Sequence, residues 1–270
     1  MGESAGAVAV LVHLVLPASG PGTMFQSAAV HSAPCVAAPH ELECVSSLEK
    51  ARRTVASPLA AAAGCDRSTE NENPDSIYTP GLNNRQLECL RALPVQAIIN
   101  LTKGLRGAAF HPVFGVGSVP TDPIKTLMSE GTAIRRIIVG WNKHDGTQFA
   151  PGSWAVDSET NATHCCPVPI PPVSEAVWTE QLQAAVGRRP GQNSAEIEAQ
   201  ARALYSTDEG QHDAVAASND VDKWWQLVDL ITDMRFSCPT LQIAERLSGY
   251  YADQPKWDGV RVFQFNQRSR

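Results

Sequence analysis

The chain has 270 residues, 43% of them hydrophobic and 19% charged, with a formal net charge of −6; this suits one sizeable core and excludes collagen, a coiled coil or wholesale disorder. Its Lys and Arg residues are scattered and form no basic stripe, which argues against nucleic acid as a partner, and no uninterrupted apolar run reaches the roughly 18 residues of a spanning helix. Seven cysteines is an odd count, so in an oxidising compartment one stays free or pairs outside this chain, while two sequons at Asn100-Leu101-Thr102 and Asn161-Ala162-Thr163 fit a secretory route.

The first element is the apolar run of residues 5–16, broken only by His13, which predicts a helix buried on all sides with that histidine as a hydrogen-bonded core residue. Pro17, Gly20, Pro21 and Gly22 stop it. "MFQSAAVHSAP" predicts a buried strand over 27–31, and "SLEKARRTVASPLAAAAGC" resumes helical spacing as far as Gly64. Residues 66–84, rich in Asp, Asn, Ser, Pro and Gly, read as a surface loop between Cys65 and Cys89. "RRIIVGWNKHDG" is the clearest buried strand, led by Ile137, Ile138 and Val139 and opening into a polar loop at its end. After a Pro- and Cys-rich connector at 161–173, helical spacing is expected from Ser194 to Tyr205, around Trp224, Leu227, Val228 and Ile231, and in "PTLQIAERL"; "GVRVFQF" is the last strand. The Trp224-Trp225 pair reads as helix packing. Helices alternating with strands make this α/β material without a dividing linker.

The start of the chain, "MGESAGAVAVLVHLVLPASG", admits two readings. A secretion signal opens with positive charge, but the ionisable side chain that precedes this apolar run is Glu3, and His13 interrupts it. The other reading is a nucleophile elbow, Gly2-Glu3-Ser4-Ala5-Gly6, in which Ser4 occupies a strained strand-to-helix turn. Side chains at Gly2 and Gly6 would then collide with neighbouring backbone. The Ala5 N–H, at the start of the following helix, would hold a developing oxyanion.

"GESAGA" followed by "VLVHLVLPASGPGTMFQSAAVHSAP" closely resembles the type-B carboxylesterase and cholinesterase family of α/β-hydrolases, and the similarity continues through "ECLRALPVQAIIN", "HPVFG", "PTDPIKTLMSEG", "IIVGWNKHDGTQF", "MRFSCPTLQIAERLSG" and "VRVFQFNQRS". The resemblance implies a partial α/β-hydrolase fold, a mostly parallel sheet with flanking helices. It implies Ser4 as nucleophile and, from "GWNKHDG", Asp145 as the acid, where the family more often has Glu preceded by an acidic residue; here His144 precedes it. A turn residue before Gly146 is what Asp145 would otherwise be. The resemblance further implies a Cys65–Cys89 disulfide, an extracellular setting and a small carboxylic ester as substrate; the Cys165-Cys166 pair and the wide spacing of the other cysteines are poor zinc patterns, so no metal is expected, and no cofactor.

The family's catalytic histidine follows a strand matching "VRVFQF", and its oxyanion loop precedes the elbow. None of His13, His31, His40, His111, His144, His164 and His212 matches that histidine's position. Residues 1–270 therefore read as one truncated domain, expected to be close to inert because loss of a triad member costs orders of magnitude in rate. The apolar helix at 5–16 is expected to leave an exposed apolar face that aggregates or pairs. Two other readings stand beside the hydrolase: a non-catalytic adhesion module on the same scaffold, and a secreted peptide with a true signal. Cys35, Cys44, Cys165, Cys166 and Cys238 receive no intrachain pairing from the sequence.

Overall fold

The computed structural model describes residues 1–16, 24–37, 42–65, 84–105, 110–134, 136–156, 163–165, 172–186, 194–205, 219–250 and 259–266. Four parallel strands form the central sheet: β1 (Gly2–Glu3), β2 (Ser27–His31), β3 (Arg136–Asn142) and β4 (Gly259–Phe265), in the order β1-β2-β3-β4. Gly2 pairs with Val30, Ala28 with Ile137, and Val260 with Ile137 from the other side. Because side chains alternate, this register puts Ala28, Val30, Ile137 and Val139 on one face. Three helices cover that face: α1 (Ala5–His13), α2 (Pro123–Glu130) and α6 (Cys238–Tyr250). Ala7, Val8, Leu11, Ile124, Leu127, Ile243 and Leu247 close the core against the strands. On the opposite face Ile138 keeps 47% exposure, and Phe265 at the end of the β4 edge keeps 51%.

The strands at 27–31 and 259–265 coincide with those read from the sequence, and β3 contains the predicted Ile137–Val139 run. The first helix differs from expectation. Only Ala7, Val8, Leu11 and Val12 of α1 are buried, while Ala5, Gly6, Ala9 and His13 lie on the solvent side. His13 is thus a surface residue, and the outer face of α1 is lined by small side chains whose exposure costs little. The helical stretch after Ser47 runs as Leu48–Ala51, a π-helical turn at Arg52–Ala56, and Ser57–Ala62, and it ends at Gly64 with φ 68°. The expected loop at 66–84 lies outside the described residues except for Asn84, which begins a helix to Arg91. Within the connector at 161–173, Thr163–Cys165 pairs with Trp154–Val156 as an antiparallel ribbon.

A second helical layer packs beside the sheet's carboxyl edge. It comprises α3 (Glu175–Val186), α4 (Ser194–Tyr205) and α5 (Asn219–Thr232). Its core holds Trp178, Leu182, Trp224, Leu227, Val228 and Ala150. Trp224 is therefore a packing residue, and its indole N–H donates to the Pro151 carbonyl at 3.1 Å. Arg202 ties the layer together: it lies 4.6 Å over the Trp178 ring and pairs with Glu175 at 2.8 Å and Glu198 at 3.0 Å. The hydrogen bond from Arg202, opposed by some burial and assisted by Lys223, holds the Glu175 carboxyl below the usual carboxylate range. The Tyr205 hydroxyl donates to Asp233 Oδ2 at 3.0 Å. Burial pushes the Asp233 carboxyl up, against the pull of the bonds from Tyr205 and Ser237.

Candidate active site

β1 ends at Glu3 and α1 begins at Ala5, so the whole strand-to-helix turn is Ser4. Its backbone sits at φ 53°, ψ −122°, a region that costs a residue with a side chain about 1–3 kcal/mol. The surrounding bonds hold it there. Ser4 N–H donates to the His31 carbonyl at 3.0 Å, and the Ser4 carbonyl accepts from Ala7 at 2.9 Å and Val8 at 3.2 Å. The Ser4 side chain makes no capping bond to the helix. The tightness of the turn is explained at Gly2, where a Cβ would lie 2.1 Å from the Gly6 carbonyl oxygen and 2.8 Å from the Ala7 nitrogen. The expectation that Gly6 also avoids a collision is not met: a Cβ there would meet nothing within 4 Å. Gly6 lies on the exposed side of the first helical turn, so the steric demand falls on the glycine before the serine. Ala5 occupies the first helical position, where the N–H has no partner within the helix.

Asp145 opens a short 3₁₀ turn, Asp145–Gln148, three residues beyond the end of β3. It does more than shape a turn. Its Oδ2 accepts from Ser32 Oγ at 2.7 Å and from the Asn142 backbone N–H at 2.9 Å, while its Oδ1 accepts from Asn142 Nδ2 at 2.7 Å. Three donors on one carboxylate fix its orientation. Ser32 itself is buried and held at φ 52°, with its N–H donating to the Gly140 carbonyl at 2.8 Å.

The register relates the two candidates. Ser4 directly follows Glu3, Glu3 pairs with His31, and Ser32 directly follows His31. Because the strands are parallel, Ser4, Ser32 and Asp145 all emerge at the carboxyl edge of the sheet, on strands β1, β2 and β3. The Asp145 carboxylate is tethered to the end of β2, one strand spacing of about 4.8 Å from β1.

His31, His144 and His111 are engaged elsewhere. His31 Nε2 meets Asn142 Oδ1 at 3.2 Å and its ring lies 5.4 Å from Phe263. His144 Nδ1 meets Asp229 Oδ1 at 3.2 Å and packs edge-on to Trp225. His111 Nδ1 lies 3.0 Å from the Cys44 carbonyl, and His13 sits on the surface of α1. His164 falls in the Thr163–Cys165 strand; His40 and His212 lie outside the described residues.

Sequence reasoning did not find Ser32 or Asn142. Asn142 could have been suspected as the last residue of the strand that leads to Asp145. Ser32 carries no local signal, since its role depends on which strand neighbours β3. Two disulfides are present among the described residues, Cys65–Cys89 with Cα atoms 5.7 Å apart, as the resemblance implies, and Cys35–Cys44 with Cα atoms 4.4 Å apart. Cys238 starts α6 and is exposed. Of the sequons, Asn100 is exposed on the Val95–Gly104 helix and accepts from Gln96 Nε2 at 3.2 Å, and Asn161 lies outside the described residues.

A strained serine between a strand and a helix, with a tethered carboxylate two strands along, is the layout expected of an α/β-hydrolase. The model of the carboxylesterase family matches residues 1–270. The chain belongs to the carboxylesterase family. It is 32% identical over 158 residues to "Cholinesterase 2" of Branchiostoma lanceolatum, an alignment covering 56% of this chain and 41% of that protein. It superposes on the crystal structure of Aspergillus niger EstA with a TM-score of 0.54 at 18% identity, covering 97% of this chain and 42% of EstA; at that identity the likeness shows the fold alone. This carboxylesterase-family chain thus spans about two-fifths of the length of both proteins. Among its described residues no helix is long and apolar enough to cross a membrane.

Proposed function

We propose that the protein carrying this chain is a carboxylic-ester hydrolase that works through an acyl-enzyme. The observation that carries the reading is the placement of Ser4, in its strained turn, on the same sheet edge as the triply bonded Asp145 carboxylate. Ser4 Oγ attacks the ester carbonyl and passes its proton to an imidazole that Asp145 orients. The tetrahedral oxyanion accepts a hydrogen bond from the Ala5 N–H at the positive end of α1. Collapse expels the alcohol, which takes the proton back from the imidazole; water then attacks the acyl-serine by the same route and releases the acid. The imidazole and the second oxyanion donor come from outside the described residues. The two disulfides suit an oxidising compartment, so the reading places the protein outside the cytosol, with Asn100 as a glycan acceptor.

The test is hydrolysis of phenyl acetate by the whole protein, with Ser4→Ala and Asp145→Asn beside it. An initial burst that disappears in S4A, with kcat reduced about 10⁴-fold in D145N, supports the reading. A burst that persists in S4A overturns it.

A further inference from the structure

The Ser32–Asp145 bond joins two loops that leave different strands, and both loops are tied to one short stretch of helix. The loop from β3 is tied through the residue after the acid. Gly146 N–H donates to Thr232 Oγ1 at 2.8 Å, and the Thr232 hydroxyl donates to the Val228 carbonyl at 2.7 Å. The hydroxyl is directional: its proton is committed to the helix, and its lone pair therefore faces Gly146. Thr232 is only 2% exposed, so water does not replace either bond. The approach is close, since a Cβ on Gly146 would lie 2.1 Å from the Val228 carbonyl oxygen and 2.9 Å from Thr232 Oγ1.

The loop from β2 is tied three residues further along the helix. Cys35, three residues after Ser32, shares its N–H between the Ala33 carbonyl of its own loop at 2.9 Å and the Arg235 carbonyl at 3.0 Å. Arg235 belongs to the π-helical turn Asp233–Ser237 that joins α5 to α6. Its carbonyl is available for a physical reason. In an α-helix it would accept from residue 239, and that residue is Pro239, which has no N–H. The π turn and the proline together present a backbone acceptor to the β2 loop, and the hydroxyl of Thr232 presents a side-chain acceptor to the β3 loop.

We propose that Thr232 is a positioning residue for the acid, its buried hydroxyl and the neighbouring Arg235 carbonyl fixing the two loops whose Ser32–Asp145 bond sets the carboxylate. The proposal rests on the reading of Asp145 as the triad's acid. Its physical basis is that a loop residue one peptide away from a buried anchor has little freedom to drift, and a displacement of about 1 Å in catalytic geometry costs about 10²-fold in rate.

The experiment compares wild type, Thr232→Val and Thr232→Ser in the whole protein. Amide exchange at Gly146 and the Asp145 carboxyl carbon resonance are read by NMR, and phenyl acetate turnover by steady-state kinetics. Valine keeps the volume and removes the acceptor; serine keeps the acceptor and loses a methyl. The expected result is a protected Gly146 amide in wild type, exchange at least about tenfold faster in T232V with a shifted Asp145 resonance, kcat lower by about 10²-fold with KM little changed, and recovery of all three in T232S. A merely structural residue would lower thermal stability and leave the resonance and the kcat-to-KM split unmoved, and that result overturns the proposal. Should T232V fail to fold, a wild-type Gly146 amide exchanging like an open loop overturns it equally. Absence of turnover in wild type refutes the hydrolase reading instead, and the anchor is then judged on the two NMR readouts.

Discussion

Replacing Ser32 by Ala isolates one of the three bonds that orient the Asp145 carboxylate. The substitution removes one donor, 2.7 Å from Asp145 Oδ2, and leaves the two Asn142 donors at 2.9 and 2.7 Å in place. A hydrogen bond to a charged group contributes roughly 1.5–3 kcal/mol. Ser32 is 2% exposed, but Asp145 is only half-buried, so water partly replaces the lost donor and the lower end, about 1.5–2 kcal/mol, is expected. For a chain of this size that corresponds to a fall in Tm of about 3–8 °C. Thermal melts followed by circular dichroism, with urea titrations for the free energy, measure it. A double-mutant cycle with Asp145→Asn should return a coupling of about 1–2 kcal/mol. An S32A protein melting within about 1 °C of wild type, with coupling near zero, would refute the reasoning, because a bond of this length to a carboxylate would then contribute nothing.

The two glycines of the elbow should respond in opposite directions. Gly2→Ala places a Cβ 2.1 Å from the Gly6 carbonyl oxygen and should destabilise by at least roughly 1–3 kcal/mol, whereas Gly6→Ala meets open space and should be neutral or stabilise by up to about 1 kcal/mol in urea titrations. Asp233 gives a pH-dependent prediction. Because burial raises its folded carboxyl above the ordinary value, its contribution to stability is present below the unfolded pKa of about 3.9 and is lost as pH rises through the folded value. The Tm of Asp233→Asn relative to wild type should therefore increase between pH 3.5 and pH 7; a constant difference would contradict the assignment. Glu175 has the opposite sign, its carboxyl being held low by Arg202, so Glu175→Gln should cost more at pH 7 than at pH 3 in the same melts.

The strands were legible because short runs such as "IIVG" and "VRVFQF" combine β-branched residues with flanking turn signals. The sidedness of α1 was not, since Ala5 and Ala9 count as apolar in composition yet sit on the surface at little cost. The α2 helix carried signals that passed unread: Asp122 caps it through Ile124 and Lys125, Pro123 opens it, and Gly131 with φ 73° ends it. α3 likewise has a cap, Ser174 Oγ accepting from the Val177 N–H at 3.3 Å, and its burial rests on Trp178 and Leu182. At the site, the elbow could be read from its pentapeptide, but Asp145 needed the family resemblance, because an Asp-Gly pair is ordinarily a turn. Ser32 and Thr232 act through strand order and helix docking, which no local pattern encodes. The Cys35–Cys44 pairing is illegible for the same reason.

The reactivity of Ser4 is tested most directly by treating the whole protein with a fluorophosphonate and mapping the adduct by peptide mass spectrometry. Stoichiometric phosphonylation of the peptide containing Gly2-Glu3-Ser4-Ala5-Gly6, abolished in S4A and strongly slowed in D145N, is the result expected of an activated serine on the edge shared with Asp145. An unmodified Ser4, or a label carried by another serine and retained in S4A, would contradict it.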